Sequence, residues 1–311
     1  MAERQSNLSR RTLLSGAVAV PVAGTIALAG PPVAASSHGP ASVLLQRRNW
    51  LTRRMEVLER EFSARVGLFA VDGPTGAKFG HRADERFAMC STFKVYAAAA
   101  VLQRASEGLA DLSRGIRIDP ADVVVNSLEC ADFAGSTLPL KWFCKVALTH
   151  SDNSAGNQLL RELGGPAAIG TYARSLGDTE SRLDRWEPEL NNAERGDPRD
   201  TSTPRALAHG YRKLLLGDAL SPLVQAQMTG WMLANGTSGQ RMWAGLPDGW
   251  TSADKTGAGL FGTVNDVGVV RNPAGEPLVL SILTDTASGA ADTPGSNELV
   301  AAITRAVTSG K

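Results

Sequence analysis

Residues 91–102 read Ser-Thr-Phe-Lys-Val-Tyr-Ala-Ala-Ala-Ala-Val-Leu, with a serine and a lysine three apart at the head of an apolar run. On a helix, positions i and i+3 share a face, with Cβ atoms about 5–6 Å apart. A serine hydroxyl is a weak nucleophile until a neighbour takes its proton, and a desolvated lysine can do that. A serine in the first helical turn also lies among backbone N–H groups able to steady a developing oxyanion. Alone, the pair reads equally well as a helix-capping serine with a chance lysine. The same spacing recurs at Ser252-Ala253-Asp254-Lys255. The surroundings there are strand-like, where positions three apart face opposite ways.

Outward from this point the pattern stays helical to about Met232, with runs at 95–102, 138–149, 155–163, 167–176, 204–216 and 222–233, punctuated by glycine, proline and aspartate. Before it, residues 41–63 read as an amphipathic, arginine-rich surface helix. Val66–Val71 and Ala77–Arg82, flanking Gly73-Pro74-Thr75-Gly76, read as a β-hairpin. Strand signals return at 250–255, 266–271 and 278–284, and a helix over 297–307 closes the chain. Strands at both ends of a helical middle predict an α/β fold of the α+β type: an antiparallel sheet flanked by helices, with an inserted all-helical lobe. The expected boundaries are 36–88 and 234–311 for the sheet-containing lobe and 89–233 for the helical one. Ligand sites favour such junctions.

One stretch resists both periods. Arg185–Pro204, RWEPELNNAERGDPRDTSTP, is crowded with charge, asparagine and proline, and all but its last residue falls in a loop expected over 181–203. Unstructured connections beyond roughly 12–15 residues in a compact domain are usually functional or disordered. Trp186, Leu190 and three prolines argue for an ordered path.

Composition narrows the partners. The 311 residues are 43% hydrophobic and 20% charged, with net charge +1, so no basic excess exists to hold a polyphosphate and nucleic acid is not an expected partner. Ser9-Arg10-Arg11-Thr12-Leu13-Leu14 leads into an apolar segment ending near Ala29, which reads as an export leader of the twin-arginine type, removed after Ala29 or Ala35. Pro21 and several glycines interrupt it, and it falls short of the roughly 20 residues a spanning helix needs, so no stable membrane association is expected. The protein is expected to be secreted or periplasmic and monomeric. Residues 1–35 carry three arginines and one glutamate, so a mature chain from Ser36 has net charge −1. Cys90, Cys130 and Cys144 are too few and too irregular for a disulfide scaffold or zinc site. Cys130 and Cys144 could pair after export. The four histidines lack metal-ligand spacing, so no metal or cofactor is expected.

Two further motifs decide the chemistry. Ser151-Asp152-Asn153 precedes a helical run, and Lys255-Thr256-Gly257 lies on a predicted strand. Each alone is ordinary: the first caps a helix, and the second can end a strand. In this order with Ser91 and Lys94, the three match the set of class A β-lactamases and penicillin-binding proteins. Across essentially the whole mature chain the sequence resembles the class A serine β-lactamases. That resemblance implies Ser91 as acylated nucleophile and Lys94 as its proton-relay partner. It implies Ser151 as the donor to the departing lactam nitrogen and Asn153 as ligand for the substrate's side-chain amide. Lys255 and Thr256 of the Lys255-Thr256-Gly257 motif would hold the substrate carboxylate, and the N–H groups of Ser91 and Ala258 would form the oxyanion hole. Glu187-Pro188-Glu189-Leu190-Asn191 resembles the family's Ω-loop motif, with Glu187 as base for a hydrolytic water, Asn191 holding that water, and the Glu187-Pro188 bond a candidate for cis. Arg185 and Asp200 match the pair that ties the loop's ends.

Two positions depart from the family's common pattern. Val264 stands where many members place a carboxylate-binding arginine, and Arg241 falls where a subset carries a substitute, so Arg241 is expected to assist binding. Asn126, Ser127 and Leu128 occupy the place of an aromatic cleft wall. The expected function is hydrolysis of penicillins and cephalosporins, with a D,D-peptidase or a β-lactam sensor as the alternatives that would hold a long-lived acyl-enzyme.

Overall fold

The computed structural model describes residues 40–287 and 289–309. The export leader expected at 1–35 lies outside them. Helix α1 (Pro40–Glu61) leads into strands β1 (Ala64–Asp72) and β2 (Lys78–His81); β3 (Phe87–Ala88) and a 3₁₀ turn (Cys90–Phe93) precede α2 (Lys94–Ser106). The middle of the chain holds β4 (Gly115–Arg117), α3 (Leu128–Asp132), β5 (Thr137–Pro139), α4 (Leu140–Thr149), α5 (Asn153–Leu163) and α6 (Ala167–Ser175). After a long connection come β6 (Thr201–Ser202), α7 (Pro204–Leu215) and α8 (Pro222–Leu233), then β7 (Thr251–Ala258), β8 (Val264–Arg271), β9 (Pro277–Thr286) and α9 (Asn297–Thr308).

The five long strands form one antiparallel sheet in the order β2-β1-β9-β8-β7, joining the two ends of the chain as the strand signals predict. Alternation along β1 explains its near-continuous hydrophobicity. Val66, Leu68 and Ala70 pack with Leu51, Met55 and Leu58 of α1 and Leu299 and Ile303 of α9. Phe69 and Val71 join the opposite cluster with Leu207 and Tyr211 of α7. A sheet covered on both faces needs apolar side chains on both. Helix α7 lies on this second face, between the sheet and α2.

Helix α2 is buried from Lys94 to Leu102. Its run of four alanines gives it a thin profile, and α4, α5, α6 and α8 pack around it. A helix apolar on every side is a core helix. Lys94 is the exception in that face, buried in spite of its charge.

Four short features missing from the sequence reading matter for the site. The β3–β6 pair aligns Phe87 with Ser202 and Ala88 with Thr201, so the chain entering residue 91 is tied to the end of the 181–203 loop. Met89 N donates to Asp200 O at 2.9 Å, extending that tie. Within the loop, Glu189–Asn192 forms a 3₁₀ turn. Ser91 itself lies in a 3₁₀ turn, and the α-helix starts at Lys94. Cys130 and Cys144, open to pairing on the sequence, are buried free thiols. Burial pushes the Cys144 thiol up to about 12.

Candidate active site

Four segments converge where the two lobes meet: the turn before α2, the α4–α5 connection, the 181–203 loop, and the end of β7. Close approach of β7 requires Gly257, because a Cβ there would fall 2.8 Å from Met89 O and 3.2 Å from Cys90 Cβ. Buried Asn265 of β8 fastens the same junction, donating through Nδ2 to Ala88 O at 2.8 Å and Met89 O at 3.2 Å. Cys90 and Ser151 adopt φ of +46° and +59°. Non-glycine residues persist there only where their surroundings hold them, typically at a cost of about 1–3 kcal/mol.

At the centre, Lys94 Nζ lies 2.8 Å from Ser91 Oγ and 2.9 Å from Glu187 Oε1. Ser91 Oγ is 3.4 Å from the same carboxylate oxygen. Lys94 Nζ also donates to Ser151 O and to Asn153 Oδ1, both at 2.7 Å. Four oxygens thus surround one nitrogen, and an ammonium has three hydrogens. Ser91 can serve its own contact by giving its hydroxyl hydrogen to Glu187. Gly156 of α5 makes room for this lysine, since a Cβ there would stand 2.7 Å from Lys94 Cε. The Lys94 and Glu187 side chains have no solvent exposure, whereas Ser91 keeps 8%. Of the three, Ser91 keeps the most exposure.

Glu187 is held from every side. Asn157 of α5 accepts from Glu187 N at 2.9 Å and donates to Glu187 O at 2.9 Å. Asn191 Nδ2 donates to Glu187 Oε2, while the buried Asn191 Oδ1 has no hydrogen-bond partner among the described residues. The Glu187-Pro188 bond is cis. Arg185 Nε donates to Asp200 Oδ2 at 2.5 Å, and Asp200 Oδ1 accepts from the backbone of Asp184 and Arg185. The loop-closing pair proposed from sequence is therefore in contact.

On the facing wall, Lys255 Nζ donates to Ser151 Oγ and to Thr256 O, each at 2.9 Å. Burial, and then the nearby cations Lys94 and Arg241, hold the Lys255 amine well below its ordinary value. Thr256 and Thr237 share a hydroxyl–hydroxyl hydrogen bond. Ala258 is exposed at the end of β7. Asn153 is fixed by Nδ2 donating to Val125 O at 2.9 Å, and Asp152 caps α5 through Ala155 N at 2.8 Å. Leu128, at the place of the aromatic wall, is exposed. Buried Ser252, first residue of the second Ser-x-x-Lys match, hydrogen-bonds Asp254 and is remote in role from Ser91.

Arg241 lies behind β7. Its Nε donates to Asn297 Oδ1 at 2.8 Å, and its Nη1 donates to Gly257 O at 2.8 Å and Asn265 O at 3.1 Å. Three of its five N–H donors are thus committed to the protein. Asn157, Asn265 and Asn297 escaped the sequence reading. Asn157 alone left a signal, one turn beyond Asn153 on the same face of a buried helix.

A model described as the beta-lactamase enzyme family matches residues 50–310. The chain belongs to the β-lactamase enzyme family. It is 46% identical over 293 residues to a β-lactamase of Streptomyces albus G, covering 90% of each. A β-lactamase of Streptomyces lavendulae is 43% identical over 299 residues, covering 92% of this chain and 93% of that one. The solved β-lactamase from Streptomyces albus G matches with TM-score 0.80 and 45% identity, over 83% of this chain and 98% of that one. An ancestral class A β-lactamase matches with TM-score 0.80 and 43% identity, over 84% of this chain and 100% of that one. The family's class A fold accounts for a helical lobe inserted between the two halves of an antiparallel sheet.

Proposed function

We propose that the protein is an exported, monomeric class A β-lactamase that opens the lactam amide of penicillins and cephalosporins through a Ser91 acyl-enzyme. The observation that carries the reading is the buried triangle of Ser91 Oγ, Lys94 Nζ and Glu187 Oε1, with sides of 2.8, 2.9 and 3.4 Å.

Acylation begins as Ser91 loses its proton into the Lys94–Glu187 pair and attacks the lactam carbonyl, its developing oxyanion facing the N–H groups of Ser91 and Ala258. Ser151, held by Lys255, gives its proton to the leaving nitrogen and takes up the one Ser91 released, so that Lys94, Glu187 and Lys255 end acylation in their starting states. Asn153 binds the substrate's side-chain amide. Lys255 and Thr256 hold its carboxylate, with Arg241 behind them.

Deacylation needs a base, because neutral water attacks an ester slowly. Glu187 takes the water's proton, and Asn191 Oδ1 is the acceptor that orients it. The sequence of residues 9–29 supports export to a secreted or periplasmic location. Among the described residues no helix is long and apolar enough to cross a membrane.

The test is turnover of a chromogenic cephalosporin by the purified protein. Sustained hydrolysis is expected. One equivalent of product followed by silence would mark a D,D-peptidase or a sensor and overturn the reading.

A further inference from the structure

Beneath the Lys255 wall lie two acidic side chains that the mechanism leaves unused. Asp254 on β7 and Asp266 on β8 are at most 1% exposed. The register pairs Asp254 with Gly268 and Thr256 with Asp266, which makes the two aspartates diagonal neighbours on one face of the sheet. Direct contact with the neighbouring carboxyl would satisfy Asp266 Oδ1, which no donor among the described residues reaches. Two carboxyl groups can hydrogen-bond only through a proton that one of them keeps.

The surroundings decide which one keeps it. Asp254 accepts three hydrogen bonds: from Asn235 Nδ2 at 2.6 Å, from Ser238 Oγ at 3.0 Å, and from Ser252 Oγ. Asp266 accepts one, from Met242 N at 3.1 Å, and no donor reaches its buried Oδ1. A carboxylate goes where donors are, so Asp254 carries the charge and Asp266 is the acid.

The charged and titratable groups facing the pair are Lys255 on β7, Arg241 from the α8–β7 connection and Tyr211 on α7. A dianionic pair would satisfy Lys255 and Arg241 internally. A monoanionic pair leaves one positive charge for a ligand.

We infer that Asp266 is a positioning residue that stays protonated, so that the Lys255–Arg241 wall keeps the net positive charge that holds the substrate's carboxylate. The inference rests on the carboxylate-binding role proposed above. Burial first, and then the Asp254 charge, holds the Asp266 acid well above the usual carboxylate range. With a raised folded-state value, the favourable state is present at low pH and lost as pH rises through that value.

Two measurements test it over the pH range in which the protein stays folded. Infrared spectra of the wild type without substrate should show a carboxylic-acid carbonyl band at neutral pH that Asp266→Asn removes. Benzylpenicillin KM should rise about tenfold as that band disappears, the size expected of one added charge in partly screened protein, beyond any rise that Asp266→Asn also shows as the Lys255 amine loses its proton. An absent band in the wild type at neutral pH overturns the assignment. So does a KM that rises equally in the wild type and in Asp266→Asn, or one that stays flat in the wild type after the band has gone. If Asp266→Asn does not fold, the wild-type pH series still decides. A wild type that fails to turn over penicillin would sink the functional reading alone, because the band is read without substrate.

Discussion

Asn157 clamps the main chain of Glu187 at both ends, accepting from its N–H and donating to its C=O at 2.9 Å each. The clamp fixes the backbone of the residue whose carboxylate stands 3.4 Å from Ser91 Oγ. Both partners are buried, so the groups left unpaired by truncation would cost about 1–3 kcal/mol each.

Asn157→Ala is therefore expected to lower kcat for a penicillin by about 10–100-fold with KM not raised, because misplacing a base slows its step more than it weakens binding. Acyl-enzyme should build up during turnover, visible by quenched-flow mass spectrometry. A variant that melts earlier yet keeps the wild-type kcat would show the clamp to be structural only.

The division of labour between Ser91 and Glu187 makes opposite predictions for two truncations. Ser91→Ala should give no covalent adduct with benzylpenicillin. Glu187→Ala should accumulate a one-equivalent adduct that decays at least about 100-fold more slowly than the wild type's, the usual contribution of a general base. Intact-mass spectra after mixing check both. An unmodified Glu187→Ala protein would mean that Glu187 is indispensable to acylation, and the assigned roles would have to be redrawn.

Much of this was legible in the chain, for physical reasons that differ between parts. Strand alternation, proline- and glycine-marked helix ends, and serine and aspartate caps are local, so β1, β7 to β9 and α4 to α9 fall close to their expected ranges. Ser91, Lys94, Ser151, Asn153, Glu187 and Lys255, which the structure brings together, were readable as candidates because the chemistry proposed for them restricts the residue types. The β3–β6 and β4–β5 pairs were not, since two- and three-residue strands carry no period. Asn157, Asn265 and Asp266 were hidden for another reason. Each matters through a partner between 24 and 177 positions away, and nothing in the local sequence marks a buried polar residue as paired. In the case of Arg241, position along the chain suggested the role, but its commitment to Asn297, Gly257 and Asn265 needed coordinates.

The Arg185–Asp200 contact closes the loop that carries Glu187, and the Asp200 side chain is almost wholly buried. Removing the arginine leaves that charge with only its backbone donors, and breaking buried pairs typically costs about 3–5 kcal/mol. Arg185→Ala should lower the melting temperature and slow deacylation more than acylation. Stopped-flow measurement of both steps checks this, and unchanged deacylation would detach the tie from catalysis.

Arg241 sets the last expectation. Its guanidinium spans an Asn297 side chain and two strand carbonyls while adding positive charge behind the Lys255 wall, so truncation should weaken capture of the substrate's carboxylate and leave the Ser91–Lys94–Glu187 triangle in place. Arg241→Ala is expected to raise benzylpenicillin KM about tenfold with a smaller effect on kcat, the scale of a lost charge-assisted contact. Arg241→Lys should recover only part of the loss, because a single ammonium cannot reproduce the planar fork that meets Asn297, Gly257 and Asn265 together. Steady-state kinetics on the three proteins separates the cases. Equal KM in all three would remove Arg241 from substrate binding, and a fall confined to kcat would place its effect on the backbone of Gly257 instead.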